Sequence, residues 1–96
     1  MTYHLVNSPA GTAAAKHGFA YAIQINKDNY GWHTMPGRDS WRAVMTACQD
    51  RLGKQYKIKS QRPGKDRKWF VDERYTFTRF YFRTEAARFL VMLDMR

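Results

Sequence analysis

The chain has 96 residues, with 17 Lys and Arg against 8 Asp and Glu, and so a net charge of +9. This length fits one small domain and excludes a multidomain enzyme or a repeat array. A composition of 44% apolar and 16% aromatic residues excludes disorder throughout. No apolar run reaches the ~18 to 20 residues that cross a bilayer. Residues 1–16 lack a basic start leading into a hydrophobic stretch, so a soluble, cytoplasmic protein with no membrane partner is expected. The single cysteine, Cys48, has no internal disulfide partner, which agrees with a reducing compartment.

Residues 1–17 mix a short Tyr3-His4-Leu5-Val6 run with the turn-forming Ser8-Pro9-Ala10-Gly11 and an alanine tract. This predicts a loosely ordered arm, with a single α+β domain at 18–96. From Phe19 to Asn26 the residues alternate, Phe19, Tyr21, Ile23 and Ile25 on one face, which predicts a strand. Residues 30–35 read as its shorter return. Asp39 or Ser40 is placed to cap a helix over 40–52, in which Trp41, Val44, Met45, Cys48 and Leu52 form one apolar stripe. Gly53 stands where a left-handed C-terminal cap belongs.

Gln55 to Ser60 alternates Tyr56 and Ile58 with Lys57 and Lys59, and Arg62-Pro63-Gly64 marks a turn. Together with Trp69 to Val71 this predicts a basic hairpin. Tyr75 to Phe82 reads as a long strand with both faces aromatic, a pattern at odds with a sheet that shows one side to water. In the last helix Thr84 is the expected N-cap. Ala86, Phe89, Leu90 and Leu93 are expected to face the sheet, which leaves a second apolar row for a partner. The overall expectation is an α+β fold: one small domain, an antiparallel sheet of three to five strands, and two helices packed on one face.

Charge is unevenly spread. Residues 53–68 hold Lys54, Lys57, Lys59, Arg62, Lys65, Arg67 and Lys68 against Asp66 alone, a net +6 of the +9. Cations concentrated on a hairpin suit a phosphate backbone, and Trp69, Tyr75, Phe77 and Tyr81 beside Arg79 suit unpaired bases. Lys57, Lys59, Arg62, Lys65, Arg67, Lys68, Trp69 and Arg79 are therefore the expected contacts to nucleic acid or an acidic partner. Trp32, Val91, Met92 and Met95 are the expected interface with a second copy of the chain or a host protein.

The catalytic alternatives lack their motifs. His4, His17 and His33 lie 13 and 16 residues apart, unlike the paired ligands of a zinc site, and Cys48 falls on an apolar stripe. Paired carboxylates at helical spacing, a Gly-rich phosphate loop and a nucleophile elbow are all missing from the sequence. No metal or cofactor is expected, and the expected function is non-catalytic binding of nucleic acid or a nucleoprotein through the basic hairpin.

Phe80-Tyr81-Phe82-Arg83 followed by Ala86-Ala87 resembles the third strand and second helix of RNA-recognition motifs. The strand, helix, strand, strand, helix order resembles an incomplete ferredoxin-like arrangement, since no strand follows the last helix. From residue 40 the order helix, three strands, helix resembles a double-stranded-RNA-binding domain. These are likenesses of element order, and fold does not fix function. Compactness and basicity are also similar to those of small phage-encoded accessory proteins, which implies inhibition of a host enzyme or defence complex by protein-protein binding as the alternative.

Overall fold

The computed structural model describes residues 3–9, 11–26, 37–57 and 64–94, with backbone alone for 37–40. Lys59, Arg62, Trp32, Met95 and the return strand at 30–35 lie outside the described residues. The elements in chain order are β1 (His4–Asn7), α1 (Ala13–Lys16), β2 (Tyr21–Asn26), α2 (Gly37–Leu52), β3 (Trp69–Glu73), β4 (Phe77–Phe82) and α3 (Glu85–Asp94).

The alternating residues of β2 and β4 pair antiparallel from Tyr21 with Phe82 to Asn26 with Phe77, and β3 pairs antiparallel with the other side of β4. β2 and β3 are therefore parallel to each other, joined through α2, with β4 between them: a split βαβ unit of the ferredoxin-like kind. The open edge beside β2 is filled from the N-terminus. His4–Asn7, in the segment expected as an arm, pairs antiparallel with β2, giving a four-stranded sheet in the order β1-β2-β4-β3. The fold is the expected α+β domain, with α2 and α3 on one face of the sheet.

On the helix side, Ile23, Ile25, Phe80, Phe82 and Trp69 pack against Val44, Ala47 and Cys48 of α2 and Ala87 and Val91 of α3. The stripe of α2 is as expected, with Val44 and Cys48 fully buried and Trp41, Met45 and Leu52 at its margins. The helix begins at Gly37, about one turn before the expected cap at Asp39 or Ser40. Gly53 ends it at φ +80°, donating its N–H to the Gln49 carbonyl at 3.1 Å, a conformation that costs other residues steric strain. Arg51 clamps the far ends of α2 and α3 through two bonds to the Asp94 carboxylate, at 2.8 and 2.7 Å, and holds that carboxyl below the usual range.

α3 is turned opposite to expectation. Ala87, Arg88 and Val91 face the sheet, whereas Phe89, Leu90 and Leu93 remain 52%, 41% and 40% exposed. Val91, expected on a partner surface, is in the core, and Met92 packs half-buried against it. Seven of the ten residues of α3 are apolar, so its periodicity does not choose a face. Arg88 accounts for the choice: its guanidinium donates to the carbonyls of Val6 and Ala22 at 3.2 and 3.3 Å and lies over the Tyr21 ring, an interaction available in this rotation alone.

The opposite face of the sheet carries a smaller aromatic cluster. Ala22, Tyr81 and Phe70 form a cross-strand row, with Tyr81 and Phe70 stacked at 4.7 Å, and Phe19, Tyr56 and Ala14 of α1 cover it. The two aromatic faces of β4 are thus both covered near Tyr81. Further along the strand, at Arg79 and Phe77, the covering stops.

Candidate nucleic-acid interface

The segment after Gly53 runs beside β3, where sequence alternation predicted a strand from Gln55 to Ser60. The described part, Gln55–Lys57, is irregular. Tyr56 donates its N–H to the Trp69 carbonyl at 2.6 Å, and the Gln55 side-chain oxygen accepts the Val71 N–H at 3.4 Å. One backbone group and one amide side chain thereby occupy part of the open edge of β3, with no ladder. A turn at Gly64–Arg67 then leads into β3, closed by a 2.9 Å bond from the Arg67 N–H to the Gly64 carbonyl. Gly64 has φ +80°, and a Cβ there would lie 2.8 Å from Arg67 Cγ, so glycine is what this turn accepts.

Arg83, just past β4, fixes this turn. Its Nε donates to the Arg67 carbonyl at 2.8 Å, Nη2 to the Lys65 carbonyl at 3.2 Å and Nη1 to the His17 carbonyl at 2.8 Å. The same guanidinium lies 4.2 Å from the centre of the Phe19 ring and 5.3 Å from that of Tyr56. Tyr56 in turn is hydrogen-bonded through its hydroxyl to His17 Nδ1 at 2.8 Å. The sequence reading missed Arg83; the only local signal is an arginine at a strand-to-helix junction.

Two clefts result. The first, about 610 Å³, is walled by Lys54, Lys57 and Arg67, and no carboxylate is among its described lining residues. Lys65 and Lys68 stand exposed in the adjoining turn. Arg67 is braced by donating to the Gln55 carbonyl at 3.1 Å. The second cleft, about 810 Å³, lies on the face of the sheet opposite α2 and α3, with Phe70, Phe77, Arg79 and Tyr81 in its lining. Gln55 and Lys57 line both, so the two clefts adjoin.

The expected contacts are therefore divided. Lys57, Lys65, Arg67 and Lys68 come together around the first cleft, and Arg79 lies in the second. Trp69 is corrected: it is 1% exposed in the main core, and its indole N–H donates to the Gly53 carbonyl at 2.8 Å, so it offers no stacking face. Tyr81 is likewise closed off by Phe70, whereas Phe77 is half-buried and Tyr75 stands 96% exposed. Lys54, part of the basic run but not among the expected contacts, belongs to the first cleft.

Cys48 is fully buried, and burial pushes its thiol well above the ordinary cysteine range. It is expected to react with a thiol reagent only through unfolding, at least about a thousandfold slower in native protein than in denaturant, given ordinary domain stability. A time course of thiol labelling across a urea series checks this; fast labelling of native protein contradicts the burial. Among the described residues no three His, Cys, Asp or Glu side chains converge as a metal site would require. No described helix is long and apolar enough to cross a membrane.

No protein-family model, curated protein or solved structure matches the chain.

Proposed function

We propose that the chain is a non-catalytic module that binds nucleic acid, alone or in a nucleoprotein, through the basic cleft after α2. One observation carries this reading: Lys54, Lys57 and Arg67 wall a single groove with no carboxylate among its described lining residues, and Lys65 and Lys68 extend its charge. Cations that outnumber their acidic neighbours keep net positive charge available to phosphates, and counterion release then supplies the affinity. A reducing, cytoplasmic setting accompanies the proposal, since Cys48 is a buried thiol.

Salt dependence tests it. The logarithm of affinity should fall linearly with the logarithm of salt, by about 0.7 to 0.9 per phosphate contact. Lys57, Lys65 and Lys68 are exposed, so replacing all three by Ala is expected to lower that slope by about two to three while the thermal midpoint stays nearly unchanged. Wild-type protein that binds no polynucleotide at low salt overturns the reading.

A second reading, inhibition of a larger machine such as a host defence complex by protein-protein binding, is favoured by the apolar residues that α3 leaves exposed. It predicts that Phe89→Glu weakens binding to a nuclease-treated, purified partner, whereas the nucleic-acid reading predicts no effect of that change on polynucleotide affinity.

A further inference from the structure

The cleft on the sheet face opposite α2 and α3 adds strand state to the proposed function, on which this inference rests. Arg79 is held in place in that cleft. Its Nε donates to Gln24 Oε1 at 2.7 Å, Gln24 donates onward to Asn26 at 2.7 Å, and the guanidinium carbon sits 4.3 Å from the centre of the Phe77 ring. A guanidinium fixed over an aromatic ring is a stacking platform that a planar base extends. Asp72, paired with Arg74 at 3.0 Å and directly across the ladder from Arg79, lines the same cleft, as does Glu73. These carboxylates repel a phosphate and accept hydrogen bonds from the N–H groups of a base. Lys57, in the segment along the outer edge of β3, lines both this cleft and the basic groove. A strand with its sugar-phosphate backbone along Lys57 and Arg67 would carry its bases past Asp72 toward Arg79 and Phe77.

We infer that the ligand is an unpaired strand, its backbone in the basic groove and at least one base stacked on the Arg79–Phe77 pair. A duplex does not satisfy this site, because its bases are stacked on one another and present only their edges.

Fluorescence anisotropy with a labelled ten-nucleotide oligothymidylate, its oligouridylate counterpart and a ten-base-pair mixed-sequence duplex tests the inference, with the two single strands separating DNA from RNA. Either single strand is expected to bind roughly tenfold or more tighter than the duplex. Phe77→Leu keeps an apolar side chain but removes the ring, and is expected to erase most of that difference while leaving duplex affinity and its salt slope intact. A second measurement does not depend on the variant folding: light-induced cross-linking of a 5-bromouracil-substituted strand to the wild-type protein, expected on the peptide that contains Phe77 and Arg79. Duplex binding equal to or tighter than single-strand binding, or cross-links confined to other peptides, overturns the inference and leaves the basic groove standing. Binding of neither form at low salt overturns the underlying reading as well.

Discussion

Trp69→Ala is expected to destabilise the protein by about 3 to 5 kcal/mol, the range for removing a large buried aromatic side chain from a packed core. Trp69 is 1% exposed and packs within the cluster that joins β3 and β4 to α2 and α3. Its indole N–H reaches the Gly53 carbonyl at 2.8 Å, so it ties the end of α2 to the first residue of β3. The loss is a large share of the total stability of a small domain. Urea unfolding followed by circular dichroism gives the difference directly. Trp69→Phe keeps most of the packing but leaves the Gly53 carbonyl without this donor, and about 1 to 2 kcal/mol is expected there. A normal midpoint with lost polynucleotide binding would instead make Trp69 a ligand contact, contrary to its burial.

Arg83→Ala is expected to cost about 2 to 3 kcal/mol, from the loss of charge-assisted bonds and of the contacts with Phe19 and Tyr56. The bonds to the carbonyls of His17 and Lys65 are exposed, so water replaces part of what they contribute; the bond to the Arg67 carbonyl is partly buried. Arg83→Lys keeps the charge without the planar fork and recovers less than half of the loss. The effect has a local signature: amide exchange at residues 64–68 should accelerate more than in the strands, because Arg83 is what pins that turn to β4. Uniform acceleration across the domain would show that Arg83 contributes general packing and no particular hold on the basic turn.

The Trp69 correction and the missed Arg83 share a cause. A sequence shows that Trp69 follows seven cations and an acid in a basic stretch, and proximity in the chain suggested proximity in function. Strand alternation sends Trp69 to the helix side and Phe70 to the other, and only the packed sheet shows that both sides are covered there. Arg83 acts on carbonyls 16, 18 and 66 residues away, and such acceptors leave no mark in residue type. By contrast, the cations of the candidate cleft were legible, since five of them lie within 15 residues of chain and any compact path keeps them near one another.

By itself the sequence determined the elements whose apolar period is unambiguous: the stripe of α2 through Val44 and Cys48, the alternation of β2 from Tyr21 on, though not Phe19, which packs on the opposite face, and the two-sided aromatic β4. It also determined the Gly53 cap and the placement of most of the net charge. Tertiary structure alone decided what pairs with the edges and which side of α3 is buried. His4–Asn7 has little to bury, and it becomes a strand because β2 leaves a row of backbone donors and acceptors open beside it. Gln55–Lys57 alternates as a strand does yet remains irregular, since a side-chain amide takes a place on the edge of β3. In α3 the apolar arc is too broad to select a face, and the carbonyls of Val6 and Ala22 select it through Arg88. Periodicity records which surfaces avoid water, whereas edge pairing and helix rotation depend on polar partners that loop closure brings from far along the chain.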